Sequence, residues 1–246
     1  MAKTYYGVDL SEHNGAVDFN KLAKKADFVI LRIGWVGNGK QKLDKSFKKN
    51  YNAAKKAGIK LGAYVYIYSK TPEAAEEGAR WVLDEIKGLS FQLPIYCDME
   101  DKSIASLGKT KLTKIAEAFN NAIIKGGYRA GIYANLDWYN NKLLPSIKDY
   151  PTWIAHYTSG KNKYRGKYEM WQNSSTGKIS GVNGKVDTDY LYENIFETGK
   201  KSVDEIAKEV IDGKWGNGSE RKKRLKAAGY DYKAVQKRVN ELIKNK

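Results

Sequence analysis

Two carboxylates, Asp98 and Glu100, follow the apolar run Leu93–Cys97. On a strand, residues i and i+2 point to one face, and a rise of about 3.3 Å per residue sets their Cα atoms roughly 6.5–7 Å apart. Carboxylates held that close raise one another's pKa, so one of them retains a transferable proton and suits general-acid work. Two more strand-like runs end in acid. Thr4–Leu10 delivers Asp9, and Lys185–Thr188 delivers Asp187, with Asp189 two residues on. Tyr96 shares the face of the Asp98 pair, while Cys97 and Met99 point the other way, which makes Cys97 a buried structural thiol. Aromatic side chains accompany the acids: Tyr64 and Tyr66 on one run, Tyr133 at the end of another, Trp153, and Trp171 with Gln172. Sugar rings stack on such faces, and core packing competes for each ring. Without further information the acids also fit a Mg²⁺ or Ca²⁺ site, or solvated loop acids and helix caps.

These residues need elements that bring strand ends together. Up to about residue 143 the chain alternates strand and helix patterns. The strand-like runs are Thr4–Leu10, Phe28–Gly34, Lys60–Tyr68, Leu93–Cys97 and Arg129–Ala134. Between them lie helical patterns at Asp18–Lys25, Ser46–Ala57, Thr71–Lys87 and Lys111–Lys125, and Leu136–Leu143 reads as a further helix. Thr71 is a natural N-cap with Pro72 at the first helical position, and Gly126 and Gly127 stop the fourth helix. Thr152–His156, Tyr168–Gln172 and Lys185–Thr188 are then strand-like with no helix between them. Five βα units followed by three bare strands predict an α/β protein, an irregular (β/α)5(β)3 barrel, with a doubly wound sheet as the alternative. In such barrels the active site lies at the C-terminal ends of the strands, where the acids fall. Neither G-x-G-x-x-G nor a P-loop is present, so nucleotide chemistry has no support.

The chain has 246 residues, with 44 Lys and Arg against 28 Asp and Glu for a net charge of +16. That charge predicts attraction to a polyanion: nucleic acid, anionic lipid or an anionic cell wall. One Cys excludes an internal disulfide, and two histidines, His13 and His156, give a His-rich metal site no basis. No apolar run approaches the ~18 residues of a membrane span. Near residue 198 the composition changes. Residues 197–201 read as a polar linker between a domain over 1–196 and a small one over 202–246, the latter a three-helix unit of Val203–Ile211, Ser219–Ala228 and Tyr232–Ile243 punctuated by Gly213, Gly216, Gly218 and Gly229. From Gly199 onward there are 14 basic and 7 acidic residues, a net of +7, so this end is the more densely basic.

The barrel region resembles glycoside hydrolase family 25, the lysozymes (N-acetylmuramidases) common as phage endolysins. The resemblance covers about residues 4–195 and rests on motifs in order: Gly7-Val8-Asp9-Leu10-Ser11 with Asn14-Gly15, Phe28-Val29-Ile30-Leu31-Arg32, Gly62-Ala63-Tyr64, Pro94-Ile95-Tyr96-Cys97-Asp98-Met99-Glu100, Gly131-Ile132-Tyr133, Trp153-Ile154-Ala155, Trp171-Gln172 and Val186-Asp187. It implies the (β/α)5(β)3 barrel, the catalytic acids Asp9, Asp98, Glu100 and Asp187, and substrate contacts at Tyr64, Tyr66, Tyr133, Trp153 and Gln172. It implies no metal and no organic cofactor. Tyr66 stands where many members have His or Phe, and His156 where Gln is common. The C-terminal end resembles the peptidoglycan-binding repeat called CW_7, from Ile206-Ala207-Lys208 through Gly213-Lys214-Trp215-Gly216-Asn217-Gly218 to Val239-Asn240. That resemblance implies a three-helix bundle that contacts wall muropeptide, with Trp215, Arg221 and Tyr230 as wall-binding residues.

The expected partner is therefore bacterial peptidoglycan, with no nucleic acid and no stable membrane insertion. The N-terminus lacks the apolar stretch of a signal peptide, so the expectation is accumulation in the host cytoplasm and release to the wall through a holin. Two rivals stand beside this reading: a non-catalytic wall-binding protein, and a nucleic-acid-binding protein using the basic end as a helix-turn-helix-like unit.

Overall fold

A computed structural model describes residues 4–192, 203–227 and 230–244. The chain divides into two compact units, Met1–Phe196 and Glu197–Lys246; the expected linker, residues 197–201, lies outside the described residues. Among the described residues, no helix is long and apolar enough to cross a membrane.

The first unit is a closed barrel. Its strands are β1 (Tyr5–Leu10), β2 (Phe28–Gly37), β4 (Lys60–Ile67), β5 (Ile95–Asp98), β6 (Ala130–Asn135), β7 (Thr152–Ala155), β8 (Met170–Gly177) and β9 (Val186–Leu191), with β3 (Lys40–Leu43) hung on β2 outside the ring. Pairing is parallel from β1 through β2, β4, β5, β6 and β7 to β8. The last strand, β9, runs antiparallel to both β8 and β1 and closes the ring. This is the (β/α)5(β)3 arrangement; the doubly wound alternative is excluded by the closure of β1 onto both β2 and β9.

Helices α1 (Phe19–Leu22), α2 (Phe47–Lys56), α3 (Pro72–Glu85) and α4 (Lys109–Lys125) cover the outside. Two start or face as their sequences dictate. The Thr71 hydroxyl accepts from the Ala74 amide at 3.2 Å and Pro72 follows at the first turn. In α4, Leu112, Ile115, Ala116, Phe119 and Ile123 recur at helical spacing and are buried against the strands. The segment expected as a helix at Leu136–Leu143 contains a π-helical turn at Trp138–Lys142.

Alternation along the strands separates two apolar layers. Val8, Val29, Leu31, Leu61, Ala63, Cys97, Ile132 and Ile154 face the helices. Phe28, Ile30, Tyr96, Tyr133, Trp153, Met170 and Leu191 fill the barrel interior. The interior accepts large rings because small residues stand beside them. A Cβ on Gly7 would meet the Phe28 ring at 2.5 Å, and one on Gly131 the Tyr96 ring at 2.6 Å.

The strand expected to end at Gly34 continues to Gly37 and turns back through Asn38 and Gly39, both at positive φ (52° and 76°), into β3. An Asn-Gly pair is the favoured two-residue hairpin turn. Within β2 the register against β4 slips between Arg32 and Gly34. That bulge inserts one residue and places Trp35 opposite Tyr66, on the inward face.

The second unit packs α5 (Val203–Ile211), α6 (Gly218–Ala227) and α7 (Tyr232–Lys244). Its core is Ile206, Ala207, Val210, Leu225, Val235 and Val239. Gly213, Gly216 and Gly218 hold positive φ between α5 and α6. The second helix is described to Ala227; its expected end, Ala228, and Gly229 lie outside the described residues.

Candidate active site

Parallel strands deliver their C-terminal ends to one mouth. There β1 brings Asp9, beside its last residue Leu10, and β5 ends in Asp98; the antiparallel β9 starts at the same end, so Asp9 and Asp187 are cross-strand partners. The ladder runs one residue past β5, with the Met99 amide donating to the Tyr133 carbonyl at 2.9 Å, which keeps Glu100 on the face of Asp98. Electrostatic coupling links Asp9 to Asp187 and Glu100, and Asp98 to Glu100 and Asp9. The four acids expected from the sequence are thus brought together.

Each of these carboxyls is pushed up from the ordinary range, first by burial. Asp9 and Asp98 are raised well above it, Asp9 by burial and then Asp187, Asp98 by burial and then Glu100. Glu100 is raised by burial and then by Asp187, while the Tyr133 hydroxyl works the other way. Asp187 is raised by burial. Like charges this close cannot all ionise in a low-dielectric site, so the cluster shares protons and titrates as a group. The nearby cation is Arg32, which lowers Asp98. Its guanidinium is held by Asp44 Oδ2 at 2.8 Å and Glu12 Oε1 at 3.2 Å.

Hydrogen bonds fix the acids from below. Gln172 Nε2 donates to Asp9 Oδ2 at 2.7 Å. The Gln172 Oε1 accepts both the Tyr133 and the Tyr157 hydroxyls at 2.8 Å each, which sets the direction of the amide. Asp98 Oδ1 is buried without a hydrogen-bond partner. Cys97 lies on the helix side, buried, with its thiol pushed well up by burial. Among the described residues, no three His, Cys, Asp or Glu are grouped so as to hold a metal ion.

The aromatic residues separate by depth. Tyr64 and Tyr66 are partly exposed, and the Tyr66 hydroxyl donates to Asp101 Oδ2 at 3.1 Å. Trp35 and Tyr68 stand beside them, with Tyr68 edge-on to Trp35 at 5.6 Å and 4.9 Å from the Tyr66 ring. Together they form a ring-lined rim on the β2–β4 side. Trp153 does not belong to a sugar-stacking surface. It is 1% exposed, packed at 4.5 Å and 5.2 Å against Tyr133 and Tyr96, and its Nε1 donates to Asp189 Oδ1 at 2.8 Å. The inward side of a central barrel strand buries it, so it supports the site rather than touching a ligand. Tyr133 and Gln172 are also buried and offer their polar tips to the acids instead of a flat face. Trp171 faces outward and bonds the His156 carbonyl at 2.8 Å.

Sequence reasoning missed Tyr157, Trp35 and Arg32 as members of the mouth, and named Asp189 without its place beneath it. Tyr157 is 54% exposed yet anchored to Gln172; its signal is its place just beyond the end of β7. Trp35 is aimed inward by the bulge, which alternation alone does not reveal.

In the second unit, Trp215 and Tyr230 meet edge-to-face at 6.0 Å, and Trp215 Nε1 donates to Glu209 at 3.0 Å. Arg221 donates to the Gly216 carbonyl (3.0 Å), Asn217 Oδ1 (2.8 Å) and Gln236 Oε1 (3.3 Å). Its guanidinium clamps the glycine-rich turn to α7.

The sequence matches the family described as glycosyl hydrolases family 25 over residues 8–182 and the CW_7 repeat over residues 204–243. It is 28% identical over 200 residues to the autolytic lysozyme of Clostridium acetobutylicum, covering 80% of this chain and 59% of that protein. Against the lysozyme of Streptococcus phage Cp-7 it is 32% identical over 202 residues, covering 74% of this chain and 55% of that protein. The chain thus spans less than two thirds of the length of either relative. The crystal structure of the Clostridium perfringens spore cortex lytic enzyme SleM superposes with a TM-score of 0.68 at 27% identity, covering 76% of this chain and 67% of that one.

Proposed function

The chain belongs to the glycosyl hydrolases of family 25, and from that premise we propose that it is a peptidoglycan-cleaving lysozyme of the endolysin kind. The bond cut is the β-1,4 linkage between N-acetylmuramic acid and N-acetylglucosamine. Residues 1–196 form the catalytic domain and residues 202–246 a wall-binding domain. In a phage setting the enzyme reaches the wall from the host cytoplasm through a holin.

Glu100 is the general acid. Burial and Asp187 keep its carboxyl protonated to a higher pH than usual, and it gives that proton to the leaving oxygen of N-acetylglucosamine. Asp98 is its near neighbour, so it is not the opposite-face base of an inverting enzyme. It instead accepts the 2-acetamido N–H of the muramic acid. The acetamido oxygen then attacks C1 as the glycosidic bond breaks, giving an oxazolinium ion whose positive charge Asp98 stabilises. Water attacks C1 next and loses its proton to the Glu100 carboxylate, so the product keeps the β configuration. Asp9 and Asp187 hold the charge and hydrogen-bond pattern of the mouth, and Tyr64 and Tyr66 supply ring faces to the glycan.

The observation that carries this reading is the meeting of Asp9, Asp98, Glu100 and Asp187 at one barrel mouth beside the ring-lined rim. Mass spectrometry of a digest of purified peptidoglycan tests it. Muramidase action leaves a new reducing-end N-acetylmuramic acid. New reducing ends on N-acetylglucosamine, or no new ends, overturn it.

A further inference from the structure

Asp189 lies one inward position deeper than Asp187 on β9 and is 0% exposed, beyond the reach of a glycan. Its neighbours across the ladders are Gly7 on β1 and Gln172 on β8. One of its oxygens, Oδ1, accepts from Trp153 Nε1 at 2.8 Å. The other, Oδ2, has no donor in reach. An ionised carboxylate only accepts hydrogen bonds, so in that state one charged oxygen would stand unsatisfied inside an apolar barrel. In the un-ionised acid, Oδ1 becomes the carbonyl that accepts from Trp153 and Oδ2 carries a proton to donate. An acceptor on the same inward face is Asp9, two residues along β1 from Gly7 and bound by Gln172, the two ladder neighbours of Asp189.

We propose that Asp189 is a positioning residue: an un-ionised carboxylic acid, anchored by Trp153, that donates its O–H to Asp9 and fixes the orientation and charge of Asp9 at the mouth. Asp9 then receives two donors, the Asp189 O–H and the Gln172 N–H, the latter aimed by Tyr133 and Tyr157. The surroundings favour the same placement of the proton. Around the pair stand the carboxyls of Asp187, Glu100 and Asp98 and the hydroxyls of Tyr64 and Tyr96. Arg32, the inward cation, is bound to Asp44 and Glu12 and acts on Asp98 and Tyr64. Burial, then Asp9, drives the Asp189 carboxyl well above its ordinary range.

The consequence for catalysis rests on the muramidase reading; the hydrogen bond itself does not, and the experiment separates them. Asp189→Asn keeps both bonds, with Oδ1 accepting from Trp153 and Nδ2 donating to Asp9, but cannot titrate. Asp189→Leu keeps similar bulk and neither bond. The infrared difference between wild type and Asp189→Asn at pH 7 should show the carbonyl stretch of an un-ionised carboxyl, present only in the wild type. With soluble muropeptide oligomers, Asp189→Leu should lower kcat by about 10²-fold with KM little changed, as misplacement of a site group does. It should also move the acid limb of the kcat profile to higher pH, because Asp9 loses a donor that favours its anion. Asp189→Asn should restore both to near wild type. A missing un-ionised carboxyl band, an asparagine variant as impaired as the leucine one, or a leucine variant as active as wild type would each overturn the proposal. Should the leucine variant not fold, the band and the asparagine profile decide alone. Should the wild type cleave nothing, the muramidase reading fails, and the band still decides the state of Asp189.

Discussion

The barrel mouth and the C-terminal helical unit carry opposite charge in opposite ways. The mouth gathers Asp9, Asp98, Glu100, Asp187 and Asp189 into a space where burial and mutual repulsion work against ionisation. The helical unit carries a net +7 from Gly199 to the end, and among its described residues every buried side chain is apolar. Core size explains the contrast. Burying charge costs stability, and only a unit with a large core tolerates it. The barrel has two apolar layers, whereas the helical unit rests on six buried residues among those described. A unit of under about 50 residues has little stability to give up, so it can bind only with groups at or near its surface. The proposed function thus confines chemistry to the barrel and affinity to the helices, a division that the following changes would break or sharpen.

The largest effect is expected from Glu100→Gln. The amide keeps the shape of the acid and removes the proton, a role worth about 10²–10⁴-fold in rate. Hydrolysis of soluble muropeptide oligomers should fall by that factor, while binding of the protein to intact sacculi in a pull-down should be unchanged. A variant within tenfold of wild type would remove Glu100 from the acid role. Asp98→Asn should act on the same side of the division, lowering kcat more than it raises KM, because its charge matters most as the oxazolinium develops. Proton NMR of the first-formed anomer distinguishes the schemes: β supports acetamido participation, and α would point to a water-activating base, with Asp187 the first to test.

Truncation after Phe196 reverses the pattern. The barrel alone should keep a near-normal kcat on soluble oligomers. Its lysis of sacculi should slow by about tenfold, short of the 10²–10⁴ of linked-module avidity because one repeat is present. Charge and recognition are separable by pulling down the isolated 202–246 unit at low and high salt with walls stripped of teichoic acid. Attraction of its net +5 to an anionic wall is screened beyond roughly 8 Å at physiological ionic strength. Binding that survives both treatments supports muropeptide recognition; binding lost in both makes the unit a basic anchor. A full-length kcat that depends on the helical unit would break the division itself.

How much of this was legible beforehand follows from which interactions are local. The strand-end acids were in part: a period of two puts Asp98 and Glu100 on one face and βα alternation puts Asp9 and Asp98 at one mouth, whereas Asp187 joins them because β9 runs antiparallel and starts there. Caps were too, since Thr71 and Pro72 act within one turn. The β3 hairpin had its Asn38-Gly39 signal in plain view, but the polar run Lys40–Leu43 lacked a strand-like pattern. The bulge at Arg32–Gly34 was not legible, and with it went the inward aim of Trp35. Depth was the other blind spot. Alternation gives Trp153 and Asp189 the correct face, but only closure of the barrel shows that both lie beneath the mouth, where Trp153 can hold an acid and cannot stack on a sugar. In the helical unit the glycine punctuation gave the helices, whereas the use of Arg221 as an internal clamp depends on Gln236, fifteen residues away.

The smallest expected effect bears on the cost of the mouth. Asp98 has a carboxyl pKa raised well above its ordinary value by burial, Glu100 and Asp9, so the folded barrel binds its proton more tightly than the unfolded chain does. A group raised on folding favours the folded state fully below its unfolded pKa, and that advantage is lost as pH rises through the folded value. The barrel should therefore lose stability as pH climbs from about 4, the ordinary carboxyl range, toward neutrality and beyond. Asp98→Asn removes the titration and relieves repulsion on Glu100 and Asp9. Its melting temperature should exceed that of the wild type by a few degrees at pH 8, where each kcal/mol is worth about 2–4 °C for a unit of this size. At pH 4 the advantage should disappear, because the wild-type acid is then protonated. The helical unit, with no buried carboxylate among its described residues, should gain nothing from the change, so its transition serves as the internal control. A variant less stable than wild type at pH 8 would mean that Asp98 is held as an anion by Arg32 and the surrounding donors, and that the mouth is a compensated charge network instead of a strained one.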